Sequence, residues 1–211
     1  ICTANVQEFM AENASQLLEK LAELRQEQDD VVFLGFQETR KKQIQMIKEK
    51  LPDYEIYDYR KENPFQLSNT IAVYSKNNLE LKHAGTLLPS FGDTPPRWAT
   101  VSELDTIGFK VVNTHLFGGR YDDESWSVYL DARSKQIQHI LKQLQPTVII
   151  GDFNADNRLE KPLVDYWQKN IKKLIAKDPT ITQLTGEAML QQYICGIHTM
   201  LEKENYKSIL D

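Results

Sequence analysis

The sequence predicts an α+β fold class with largely antiparallel sheets, and three observations carry that prediction. Strand-like runs follow one another from YEIYDY to FKVVNTHL without helices between them, which strict βαβ alternation would require. Amphipathic helical stretches precede and follow those runs. The chain has 211 residues, 41% of them hydrophobic and 26% charged, which suffices for one large core in a single domain spanning 1–211.

Each element has its own signal. ICTANV is a short strand. ASQLLEKLAELRQEQ places Leu17, Leu18, Leu21 and Leu24 on one helical face. DDVVFLGFQE is a buried strand after a turn, and TRKKQIQMIKEKL is a helix with Ile44, Ile47 and Leu51 inward. YEIYDY, NTIAVYSK, LELKHAGTLL, RWATVSEL and FKVVNTHL are strands separated by Pro-, Asn- and Gly-containing turns. SWSVYLDARSKQIQHILKQL is a long helix capped by Ser125 and closed off by Pro146. Thr147, Val148, Ile149 and Ile150, four β-branched residues in a row, predict a strand buried on both faces, and the chain beyond it reads as mainly helical.

Three apolar strands stop in a similar way. VVFLGF runs into Gln37-Glu38, FKVVN into Thr114-His115, and TVII into Gly151-Asp152-Phe153-Asn154, while the first strand breaks its apolar run with Asn5. Taken singly, each has an ordinary explanation. Glu38 serves as a solvated strand-end charge, His115 as a hydrogen-bonded core histidine, Asn5 as a turn amide, and Asp152 and Asn154 as turn formers after Gly151. Together, two carboxylates, an imidazole and two amides at strand ends suit metal-assisted phosphate chemistry. Hard carboxylate oxygens hold Mg²⁺ or Mn²⁺. A second carboxylate activates water, and amides hydrogen-bond the phosphoryl oxygens. There is no cysteine–histidine cluster for zinc, no glycine-rich phosphate loop and no serine nucleophile elbow.

In their order and spacing, ICTANV, FLGFQE, NTIAVYSK, VVNTHL and VIIGDFNAD resemble the endonuclease/exonuclease/phosphatase superfamily over residues 1 to about 160. That superfamily includes DNase I, sphingomyelinases, inositol polyphosphate 5-phosphatases, deadenylases and abasic-site endonucleases. The resemblance implies a DNase I-like, four-layer arrangement: a two-sheet β-sandwich flanked by helices, with the site where both sheets present their strand ends. It also implies a Mg²⁺-dependent phosphoesterase in which Glu38 is the principal metal ligand with Asn5 beside it. His115 would lie next to the scissile phosphate as donor or acid, Asp152 would orient or activate water, and Asn154 would hold phosphate oxygens. Arg133, in the helix after the His115 strand, resembles a family arginine that braces the site.

One departure stands out. The family pattern ends with a Ser-Asp-His block on a last strand, preceded by another strand carrying an Asp, and neither is present; His198, in CGIHTML, does not match. The expectation is therefore a domain incomplete at both ends, lacking its C-terminal strands, whose full polypeptide continues past Asp211. The alternative is a family-fold domain that has lost catalysis and serves as a binding or scaffold module.

The resemblance implies a phosphate-ester substrate, with nucleic acid, phosphoinositide and phospholipid head group all open. A net charge of −5 argues against coating nucleic acid by bulk electrostatics. ArgLysLys at 40–42 and LysLys at 172–173 read as solvated helix faces or anion contacts. In FGGRYDDESW, Arg120 is a candidate substrate contact, with pairing to Asp122 or Asp123 as the alternative. No transmembrane run is present, and Cys2 and Cys195 read as two buried free thiols, which points to an intracellular setting.

Overall fold

The computed structural model of the chain describes residues 1–5, 11–27, 31–58, 68–76, 79–90, 97–118, 126–155, 172–173, 175–176 and 183–207. Within them the elements run β1 (Cys2–Asn5), α1 (Ala11–Glu27), β2 (Val31–Thr39), α2 (Lys41–Lys50), β3 (Glu55–Asp58) and β4 (Ser68–Ser75). They continue with β5 (Leu81–Leu88), β6 (Arg97–Leu104), β7 (Phe109–His115), α3 (Trp126–His139), β8 (Val148–Asp152) and α4 (Gln183–Lys203). The chain resolves into two compact units.

The first unit, Ile1–Leu88, Pro95–His115 and His139–Asp152, contains both sheets. One has the order β1-β2-β4-β3 and the other β5-β6-β7-β8. β1 pairs with β2, and β7 with β8, in parallel; the other four pairings are antiparallel, so the sheets are mixed but largely antiparallel as expected. Strand alternation divides β2 cleanly. Leu34 and Phe36, with Ala72 of β4, pack under Leu18 and Leu21 of α1 and Ile47 and Leu51 at the end of α2. Phe33, with Ile71 and Val73 of β4, turns the other way and packs on Leu104, Val111 and Ile150 of the second sheet. The unit is thus a two-sheet sandwich with helices covering the outer face of one sheet. α2 starts cleanly because the Gln43 side chain accepts the Arg40 backbone N–H at 2.6 Å.

The second unit, Pro89–Thr94, Leu116–Gln138 and Phe153–Asp211, holds most of α3 and all of α4. α3 buries Ala132, Arg133, Gln136 and Ile137, two of them polar. In the same unit, the His198 ring of α4 lies edge-on to Phe153 with centroids 6.0 Å apart.

Some expectations change. In the last strand only Ile150 is fully buried, and Val148 and Ile149 are half-buried, because β8 is the end strand of its sheet among the described residues. The long helix passes from α geometry into a π-helical turn at Ile140–Leu144, with Gln145 left-handed at φ 46° just before Pro146. The Lys110 ammonium donates to the Leu144 carbonyl at that turn. Asn5 is the last residue of β1 rather than a turn amide, and Cys2 is exposed at the start of that strand while Cys195 is buried. Ser125 and Arg120 lie outside the described residues, as does the side chain of Leu24.

Close approach of the two sheets depends on Gly35 in β2. A Cβ there would sit 2.6 Å from Ile150 Cδ1 and 2.9 Å from Asn113 Oδ1, both on the facing sheet. Gly35→Ala is expected to destabilise the fold by about 1–3 kcal/mol, the usual cost of overpacking, read as a lower urea midpoint.

At the other end of the sandwich His83 of β5 ties the sheets together. Its ring stacks on Tyr57 of β3 at 4.9 Å, Nδ1 lies 2.8 Å from Ser102 Oγ, and Nε2 lies 3.3 Å from Glu55 Oε1. Burial holds its pKa below the ordinary 6.5, partly offset by Glu55. The unfolded chain therefore binds this proton more readily than the folded one, so stability present above about 6.5 is lost as pH falls toward the depressed folded value. Thermal unfolding across this interval is expected to show a smaller acid-induced loss of Tm in His83→Gln than in the native chain.

Candidate active site

The ends of β2, β7 and β8 meet in the first unit. The parallel register of β7 and β8 sets His115 directly beside Asp152, and that of β1 and β2 sets Asn5 beside Gln37. Gly151 lies inside β8 rather than opening a turn. Its φ is +140°, and a Cβ there would fall 1.8 Å from the Thr114 carbonyl oxygen, so what approaches this glycine closely is strand β7. Only glycine lets β8 run close enough to β7 to bring Asp152 level with His115.

Glu38 reaches the same place by an irregularity. Pairing of β2 with β4 is regular through Phe36↔Thr70 and resumes at Thr39↔Ser68, so β2 carries one extra residue. Regular alternation would send Glu38 to the face of Leu34 and Phe36, beneath the helices. Glu38 instead adopts φ 57°, a left-handed conformation that costs a non-glycine residue about 1–3 kcal/mol, and its carboxylate meets His115. Asn113 secures the bulge: its amide N–H groups donate to the Phe36 carbonyl at 3.2 Å and the Thr70 carbonyl at 3.0 Å. Its Oδ1 accepts from Gln37 Nε2 at 2.6 Å, and Gln37 also donates to Thr3 Oγ1.

Glu38 Oε1 lies 3.4 Å from His115 Nδ1, and Asp152 Oδ2 lies 3.9 Å from His115 Nε2. One ligand atom from each of Glu38, His115 and Asp152 lies within 4.8 Å of the others. The Glu38 and His115 side chains are 9% and 7% exposed, whereas Asp152 is 31% exposed, so Asp152 is the member open to water. Arg97, the first residue of β6, adds a guanidinium whose Nη1 is 3.2 Å from His115 Nδ1. Burial lowers the His115 pKa and Arg97 lowers it further, against opposing effects of Asp152 and Glu38. Burial likewise lowers the Arg97 pKa, opposed by Glu38 and Asp152. The centre is an imidazole held toward its neutral form between two carboxylates and a guanidinium.

This donor set fits a hard divalent cation. Ligands on opposite sides of a six-coordinate Mg²⁺ are about 4 Å apart, so a cluster of this spread needs only small adjustment to close on one. The carboxylates of Glu38 and Asp152 are the suitable donors, and imidazole is the softer one.

Two further expected residues belong to the second unit. Asn154 has a left-handed φ of 48°, and its Nδ2 donates to the Leu116 carbonyl at 2.9 Å. Its own carbonyl accepts a hydrogen bond from Nη1 of the fully buried Arg133. One turn along α3, Gln136 accepts the Phe117 N–H at 2.8 Å. Arg133 thus braces the segment after β8, as Gln136 holds the one after β7. Asn5 is placed by its backbone alone, and Arg120 lies outside the described residues. The residues missed from sequence are Arg97 and Asn113. A cation opening a strand after two prolines, and an amide interrupting VVNTH, were the available signals.

Residues 2–167 match the sequence model of the Endonuclease/Exonuclease/phosphatase family. No curated protein matches the chain in sequence. Solved structures that resemble it include a family protein from Bacteroides thetaiotaomicron, 21% identical with a TM-score of 0.50, covering 74% of this chain and 63% of its own. Another, from Bacteroides vulgatus, is 16% identical with a TM-score of 0.52, covering 74% of this chain and 65% of its own. A truncated TDP2 from Caenorhabditis elegans is 17% identical with a TM-score of 0.51, covering 74% of this chain and 64% of its own. The fold is shared with all three, and the chain spans less than two thirds of the length of each.

The left-handed backbone at Glu38 has a measurable consequence. Glu38→Gly is expected to be more stable than Glu38→Ala by about 1 kcal/mol in urea unfolding, since alanine retains the left-handed penalty and glycine does not. Equal stabilities would mean that the bulge relaxes at no cost once the carboxylate is gone.

Proposed function

The chain belongs to the Endonuclease/Exonuclease/phosphatase family, and from that membership we propose that it is a Mg²⁺-dependent phosphoesterase acting by water attack on a phosphate ester. The observation that carries the proposal is the convergence of Glu38, His115 and Asp152, whose ligand atoms lie within 4.8 Å of one another. Glu38, buried and aimed by the bulge, is the principal ligand, and Asn5 at the neighbouring strand end is its companion. When bound, the ion neutralises charge on the phosphoryl oxygens.

The remaining roles fall to side chains. Asp152, the most exposed of the three, orients the attacking water and accepts its proton. His115 hydrogen-bonds a phosphoryl oxygen, and Arg97 keeps positive charge beside two carboxylates that would otherwise repel an anionic substrate. Asn154 holds phosphate oxygens, with Arg133 setting its backbone. The leaving group remains open among nucleic acid, phosphoinositide and phospholipid head groups, and a parallel screen of DNA, RNA, phosphoinositide and sphingomyelin identifies it.

Calorimetric Mg²⁺ titration and turnover of bis-p-nitrophenyl phosphate test the assignment together. Glu38→Ala should lose the Mg²⁺ binding heat, because the buried ligand is gone. Asp152→Asn should retain Mg²⁺ binding and lose turnover by about 10²–10⁴-fold, the usual contribution of one acid–base group. Unchanged Mg²⁺ affinity in Glu38→Ala, or undiminished turnover in Asp152→Asn, overturns the corresponding role.

A further inference from the structure

We infer that Arg97 is a positioning residue that fixes the tautomer of His115: its guanidinium donates to Nδ1 and leaves the ring's single proton on Nε2, the side facing Asp152. A guanidinium offers N–H donors and no acceptor. At 3.2 Å from Arg97 Nη1, Nδ1 must therefore present its lone pair. Neither the Nδ1–H tautomer nor the doubly protonated ring satisfies that contact. The same nitrogen lies 3.4 Å from Glu38 Oε1, which would ask for the opposite arrangement, with Nδ1–H donating to the carboxylate. Two neighbours thus compete for one ring atom, and Arg97 holds the shorter contact.

Arg97 is placed to win this competition. It opens β6 opposite Leu88 of β5, and the adjacent Trp98 carbonyl accepts a hydrogen bond from the Asn69 amide of the facing sheet. The backbone that carries the guanidinium is therefore anchored to both sheets. The inference deepens the phosphoesterase reading and rests on it for its functional meaning. With Nδ1 engaged and Nε2 protonated, His115 is neither a metal ligand nor a proton acceptor. It is a neutral N–H donor directed toward the Asp152 side, suited to a phosphoryl oxygen.

The test reads the imidazole ¹⁵N resonances of histidine-labelled protein at neutral pH, where each tautomer has a distinct nitrogen signature. The native chain should show His115 as Nε2–H with Nδ1 unprotonated. In Arg97→Met the proton should move to Nδ1, drawn by Glu38, and in Arg97→Lys, which still offers a donor, it should remain on Nε2. His83, between Ser102 and Glu55, serves as the internal control and should not change in either variant. A native His115 that is Nδ1–H or doubly protonated overturns the inference, as does an unchanged tautomer in folded Arg97→Met. If Arg97→Met fails to fold, the native spectrum and Arg97→Lys decide. Loss of the phosphoesterase reading would appear instead as absent Mg²⁺ binding with the tautomer intact.

Discussion

The structure of the first unit depends on the side chain of Asn113, buried between two sheets. Bulging β2 after Phe36 breaks its ladder with β4, and a buried carbonyl left without a donor costs about 1–3 kcal/mol. Asn113 supplies donors to Phe36 and, across the same gap, to Thr70, while its oxygen takes the Gln37 amide. One amide thereby makes the irregularity tolerable and joins the sheets. Because the bulge is what turns Glu38 toward His115, the position of the Glu38 carboxylate is set by hydrogen bonds to a residue that carries no charge.

Around that frame the charges balance locally. Two carboxylates and one guanidinium share a largely dry corner, and each lone partner would be expensive there. Arg97 is therefore both a stabilising counter-charge for Glu38 and Asp152 and a neighbour that keeps His115 neutral. Exposure grades the site: Glu38 and His115 are nearly closed off, while Asp152 faces water. The gradient separates a closed-off carboxylate, Glu38, from one open to water, Asp152.

Much of this was legible in the chain because strands announce themselves twice, by apolar periodicity and by the polar residues at their ends. Gln37-Glu38, Thr114-His115 and Gly151-Asp152 stand at strand ends in the structure as they do in the sequence. The residues that escaped did so for physical reasons. A bulge has no composition of its own, since Phe36-Gln37-Glu38 reads as uninterrupted strand until its partner is known. Arg97 gains meaning only from the placement of β6 beside β7, and Asn113 only from the facing sheet. Gly151 was half legible: it reads as the end of an apolar strand, but that it marks the close approach of the Thr114 carbonyl required the register of β7 and β8.

The extra residue in β2 makes this strand unusually sensitive to its own length. Removing one residue between Gln37 and Thr39 would bring the ladder with β4 back into phase and free the backbone of its left-handed kink, yielding a more regular sheet. The residue removed is Glu38 itself, so the same deletion takes away the carboxylate that faces His115. For this segment, regularity of the strand and placement of the carboxylate pull in opposite directions. A chain repaired toward an ideal sandwich would fold without complaint and present an imidazole and an aspartate with nothing opposite them.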